Sequence, residues 1–74
     1  MDKDQEKLIQ RIQAVPTDDY SYCIQVISKI LRDNHKLTGD EAFIEAFNEV
    51  MMDKFPNEFT DYNQMIAEIK MQDD

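Results

Sequence analysis

Apolar residues along this chain recur three and four positions apart rather than in alternation, in four stretches separated by short polar or proline-containing breaks. In the first, Leu8, Ile9, Ile12 and Val15 share one face of a helix over about residues 3–15, which Pro16 closes. Thr17 is placed to cap a second helix over about residues 18–33, with Asp18 and Asp19 in its first turn near the positive pole of the dipole. Tyr20, Cys23, Ile24, Ile27, Ile30 and Leu31 form its inner stripe, while Tyr22 and Val26 fall outside it. A helix apolar over so much of its circumference is either the centre of a bundle or shares a face with another chain.

Lys29, Arg32, His35 and Lys36 gather toward the end of the second helix, where positive charge offsets the negative pole. Thr38 and Glu41 then have the spacing of a capping box, with Leu37 able to staple onto Ala42. A third helix is expected over about residues 39–54, with Phe43, Ala46, Phe47, Val50 and Met51 inward, ended by Pro56. The fourth is placed at about 58–71, starting near Asn57 or, with Thr60 as cap, near Asp61. Phe59, Tyr62, Met65, Ile66 and Ile69 form its stripe, and Gln72, Asp73 and Asp74 are expected to fray.

One glycine and two prolines among 74 residues leave little material for hairpins. The expected fold is therefore all-α, a single small domain of four helices whose short connections favour antiparallel neighbours, with a homodimer as the alternative arrangement.

Charge narrows the function. Eight Lys and Arg stand against sixteen Asp and Glu, a net charge of −8, which repels phosphate backbones and anionic membrane surfaces. The second and third helices resemble a helix-turn-helix in spacing only. The helix that would read bases carries Asp40, Glu41, Glu45, Glu49 and Asp53. No apolar run reaches the length of a membrane helix, and the start MDKDQEK lacks the basic and apolar regions of a signal peptide. With a single cysteine and no internal disulfide, a cytoplasmic location is expected.

The strongest pattern outside the core is Glu41, Glu45, Glu49 and Asp53, each four residues after the last, with Met52 among them and Ile44 at the margin. Like charges at that spacing oppose one another, so the stripe is either a solvated face or a recognition surface for a basic partner. As a metal site it lacks the Glu-x-x-His pairs of di-iron bundles and the loop of an EF-hand, and no metal or cofactor is expected.

Cys23 lies among inner-face residues, and its own helical turn holds no basic group to activate it. His35, twelve residues on, would stand about 18 Å away along a straight helix, too far to form a dyad with it. Tyr22 and Val26 either cover a neighbouring helix or form a dimer seam. Catalysis is disfavoured by the lack of a Gly-rich phosphate loop, a nucleophile elbow or a second histidine.

A carrier of the acyl carrier protein type needs its serine within Asp-Ser-Leu, whereas Ser21 sits in Tyr-Ser-Tyr and Ser28 in Ile-Ser-Lys. The expectation is a non-enzymatic module that binds a protein partner through Glu41, Glu45, Glu49, Met52 and Asp53. The alternatives are a structural homodimer through Tyr22 and Val26 and a small-molecule or metal-binding bundle.

Overall fold

Five helices, and no strand, form the described residues, 1–72, of the computed structural model. Of the residues expected to fray, Gln72 is the last of the final helix, and Asp73 and Asp74 lie outside the described residues. The order is α1 (Lys3–Gln13), α2 (Tyr20–Asp33), α3 (His35–Thr38), α4 (Glu41–Lys54) and α5 (Tyr62–Gln72). The count exceeds the expected four because the connection between the two long helices winds into a short turn of its own. Four residues are too few to show a period, so α3 leaves no trace in the hydrophobic pattern.

Most helix starts are set by aspartate rather than by the threonines that the sequence suggests. The carboxylate of Asp2 accepts from the Gln5 N–H at 3.0 Å while Gln5 Oε1 accepts from the Asp2 N–H at 3.1 Å, a reciprocal capping box at the start of α1. Asp19 caps α2, accepting from the Tyr22 N–H at 3.1 Å. Thr17, the expected cap, instead accepts from the Asp19 N–H. Asp40 caps α4, and the expected cap Thr38 is buried at the end of α3, donating to the His35 carbonyl. A carboxylate adds charge complementarity to the hydrogen bond at a helix N-terminus, which a hydroxyl does not.

The last helix begins at Tyr62, beside the later of its two expected starts, near Asp61, and not at 58. Asp61 accepts from the Gln64 N–H at 2.8 Å, and residues 55–59 form a separate turn closed by Phe59 N–H to the Phe55 carbonyl. The first helix stops at Gln13, two residues earlier than expected. Pro16 pushes the residue before it out of helical geometry, yet Val15 stays buried beyond the helix end.

The single glycine, Gly39, has φ −89° and no need of its conformational freedom. Asn34 ends α2 by donating its side-chain amide to the Ile30 carbonyl at 2.8 Å, one of the carbonyls left open at a helix end.

Two polar side chains fix how the helices stack. Gln5 is buried, and its amide donates to the Leu37 carbonyl at 2.9 Å and to an Asp40 carboxylate oxygen at 3.2 Å, joining the start of α1 to the start of α4. At the far end Lys54 Nζ donates to the Gln13 and Val15 carbonyls, both at 3.1 Å. Start meets start and end meets end, so α1 and α4 run parallel, with α2 returning between them in sequence. The expectation of antiparallel neighbours therefore misses this main helix contact.

The core lies where α1, α2 and α4 meet, with Ile12, Cys23, Ile27, Phe43, Phe47 and Met51 fully enclosed. Aromatic contacts tie in the remaining segments. Tyr20 meets Phe55 edge-on at 5.1 Å, and Phe47 meets Phe59 at 5.9 Å and Tyr62 at 5.3 Å. The Tyr62 N–H also donates to Asn48 Oδ1 at 2.9 Å, so α4 supplies part of the start of α5.

Candidate functional site

The acidic surface is built on α4 by a division of its faces. Phe43, Phe47 and Met51 are completely buried at four-residue intervals, which turns the opposite face of the helix outward. Glu41, Glu45, Glu49 and Asp53 are all exposed, along about 18 Å of helix. Met52 is 46% exposed between these carboxylates, and Ile44 is half-buried at the margin. An apolar side chain flanked by anions suits a surface that attracts cations at a distance and holds an aliphatic group on contact.

The start of this helix is anchored electrostatically. One Asp40 oxygen accepts from the Ala42 N–H at 2.6 Å and the Phe43 N–H at 3.4 Å, while the other receives the Gln5 amide. The Gln5 bond first, and the Ala42 N–H second, hold the Asp40 carboxyl below its usual range. Asp40 is thus committed to the fold, unlike the carboxylates that follow it.

Tyr22 and Val26, the candidate seam, lie elsewhere. Tyr22 is 56% exposed and Val26 is half-buried against the core. Together with Arg11, Lys29 and Ile30 they line a groove of about 390 Å³ beside α1 and α2. A second groove, of about 260 Å³, lies between the end of α2 and α5, with Arg32, His35 and Lys70 around Leu31, Ile66 and Ile69.

Cys23 is completely buried, and burial pushes its thiol above the ordinary value despite an opposing pull from Lys54. Lys54 is a basic neighbour that sequence proximity could not reveal, since it arrives from α4. Its influence is the smaller one, and the thiol is held in the neutral, packed state. His35 is exposed at the surface, apart from the enclosed thiol.

Burial, followed by the charges of Glu68 and Glu58, raises the Tyr20 phenol in the same way. Among the described residues no group of three or more His, Cys, Asp and Glu side chains is close enough to hold a metal ion. No described helix is long and apolar enough to cross a membrane.

Reasoning from sequence missed Gln5, Lys54 and Phe55 as organising residues. Gln5 had a visible signal in Asp2-x-x-Gln5, a capping-box spacing. Phe55 sits outside any helical period, immediately before Pro56, yet is 3% exposed. Comparison with protein-family models, curated proteins and solved structures gives no match, so function is argued from the chain's own residues.

Proposed function

We propose that this chain is a small, non-enzymatic interaction module that binds a basic protein partner through the outer face of α4. Glu41, Glu45, Glu49 and Asp53 would steer the encounter, and Met52 would supply apolar contact once the complex forms. The observation that carries this reading is the exposure of Met52 within the carboxylate stripe, on a helix whose opposite face is fully enclosed.

The test is a titration of ¹⁵N-labelled protein with a synthetic amphipathic peptide of leucine and lysine. Amide shifts confined to α4 between Glu41 and Asp53, and lost in Glu45→Lys/Glu49→Lys with an otherwise unchanged spectrum, are expected. Binding that survives this double reversal would place the partner surface elsewhere.

A homodimer through Tyr22 and Val26 is a second reading, supported by the exposure of Tyr22 beside the groove of about 390 Å³. Light scattering over a concentration series tests it. A dimer should revert to monomer in Tyr22→Glu, and a monomeric wild type at high concentration would end this reading.

A further inference from the structure

Four of the eight Lys and Arg side chains of this acidic chain stand on the outer side of α1 and α2. Lys3, Lys7 and Arg11 are exposed and follow one another every four residues, so they form one ridge along α1. Arg11 then borders the groove of about 390 Å³, with Lys29 of α2 and the apolar side chains of Tyr22, Val26 and Ile30. Among the described residues none of these four cations makes an ion pair or a side-chain hydrogen bond. Asp33 also lines the groove, and Asp4 and Glu6 border the ridge, so four cations meet three carboxylates on this side. In the chain as a whole, carboxylates outnumber cations two to one. The outer face of α4 is the opposite extreme, four carboxylates with no cation, since Lys54 is turned to the Gln13 and Val15 carbonyls.

We propose that the basic partner of α4 is a second copy of this chain, whose α1 ridge and adjoining groove receive the carboxylate stripe and Met52. The inference rests on the reading of α4 as a partner surface and names what it binds. Both stripes repeat every four residues, about 6 Å of helix rise. With the two helices running the same way, Glu49 beside Arg11 sets Glu45 beside Lys7 and Glu41 beside Lys3. Met52, just beyond Glu49, then meets the apolar side chains beside Arg11.

The stripe cannot reach the groove of its own copy, because Phe43, Phe47 and Met51 turn the other side of α4 toward α1 and α2. A net charge of −8 opposes the approach of two copies, yet fields between exposed charges fade over about 8 Å at physiological salt, so the charges in contact decide the outcome. The two faces differ, which makes the contact heterologous and lets one copy use both at once.

The test uses the full chain, with light scattering and ¹⁵N amide spectra over a concentration series up to about 1 mM at about 0.15 M salt. Mass should rise with concentration, and the amides of Lys7, Arg11 and Tyr22 should shift together with those of Glu45 and Met52. Glu45→Lys/Glu49→Lys has two basic faces and Lys7→Glu/Arg11→Glu two acidic ones, so each alone should associate at least about tenfold more weakly than wild type. All four positions are exposed, and each variant should keep the wild-type helix content by circular dichroism. Mixing the two variants in equal amounts brings opposite charges together again and should restore association.

A chain that stays monomeric throughout, association that survives in either variant alone, or a mixture no heavier than its parts would overturn the proposal. So would shifts confined to Tyr22, Val26 and their neighbours, which would mark a symmetric seam. The peptide titration separates this inference from the reading of α4. A monomeric chain whose α4 still binds the leucine-lysine peptide overturns the inference alone, and loss of both overturns the two together.

Discussion

At the scale of single residues, Gln5 and Asp40 do the most with the fewest atoms. The Gln5 side chain completes the cap of α1 through its oxygen and reaches Leu37 and Asp40 through its nitrogen, leaving its buried polar atoms satisfied. Since those bonds favour ionised Asp40, stability should carry their signature in acid. At neutral pH Asp40 is charged in both the folded and unfolded chains, and its contribution is fully present. As pH falls through the ordinary carboxylate range the unfolded chain takes up a proton first, so stability is lost until the lowered folded value is passed. Asparagine retains a capping oxygen but does not titrate. The advantage of wild type over Asp40→Asn in urea melts should therefore shrink between about pH 7 and about pH 3, and a constant difference would remove charge from the explanation. Gly39 makes the opposite case, a residue whose special property is unused. Its φ is negative, and a Cβ built there would meet nothing within 4 Å. Gly39→Ala should raise stability by about 0.4–1 kcal/mol by restricting the unfolded chain, as read by denaturant midpoint.

At the scale of elements, what could be read in advance was whatever repeats. Leu8, Ile9 and Ile12, the α2 stripe from Cys23 to Leu31, and Phe43, Phe47 and Met51 all become buried because a helical period states which face turns inward. What could not be read was how those faces meet. The parallel contact of α1 and α4 depends on Gln5 and Lys54 reaching residues more than thirty positions away, and polar residues carry no periodic signal. The candidate site divides along the same line. Exposure of Glu45 and Glu49 follows from their positions opposite buried Phe43 and Phe47, whereas the groove between α2 and α5 joins His35 to Lys70 across the fold and was invisible in local sequence. Phe47 shows how much one position joins, since its ring contacts those of Phe43, Phe59 and Tyr62, linking α4 to the turn and to α5. Truncating a buried phenylalanine to alanine costs about 3–5 kcal/mol. A chain of this length commonly has roughly 4–11 kcal/mol in total, so Phe47→Ala should be largely unfolded at 37 °C by circular dichroism. Phe47→Leu keeps most of the volume and should retain the fold. A cooperative melt of Phe47→Ala close to that of wild type would show that α5 and the turn do not depend on this ring.

At the scale of the whole molecule, the central question is what an excess of eight negative charges does. On α4 the pairs Glu41 with Glu45, Glu45 with Glu49, and Glu49 with Asp53 each place like charges one turn apart. Each such pair opposes the helix by about 0.2–0.5 kcal/mol, and replacing Glu45 and Glu49 by glutamine removes all of them. The variant Glu45→Gln/Glu49→Gln should therefore be more stable than wild type by about 0.5–1.5 kcal/mol in low-salt urea melts. At about 1 M salt the screening length falls to roughly 3 Å, shorter than the spacing of these side chains, and the gain should disappear. A gain that persists at high salt would belong to side-chain propensity rather than charge. The same variant should bind the leucine-lysine peptide more weakly, because the attraction that guides it comes from the groups whose mutual repulsion was relieved. Greater stability with weaker binding would identify the stripe as a surface whose arrangement opposes the fold and serves a partner. Greater stability with unchanged binding would leave the carboxylates only a role in keeping the chain in solution.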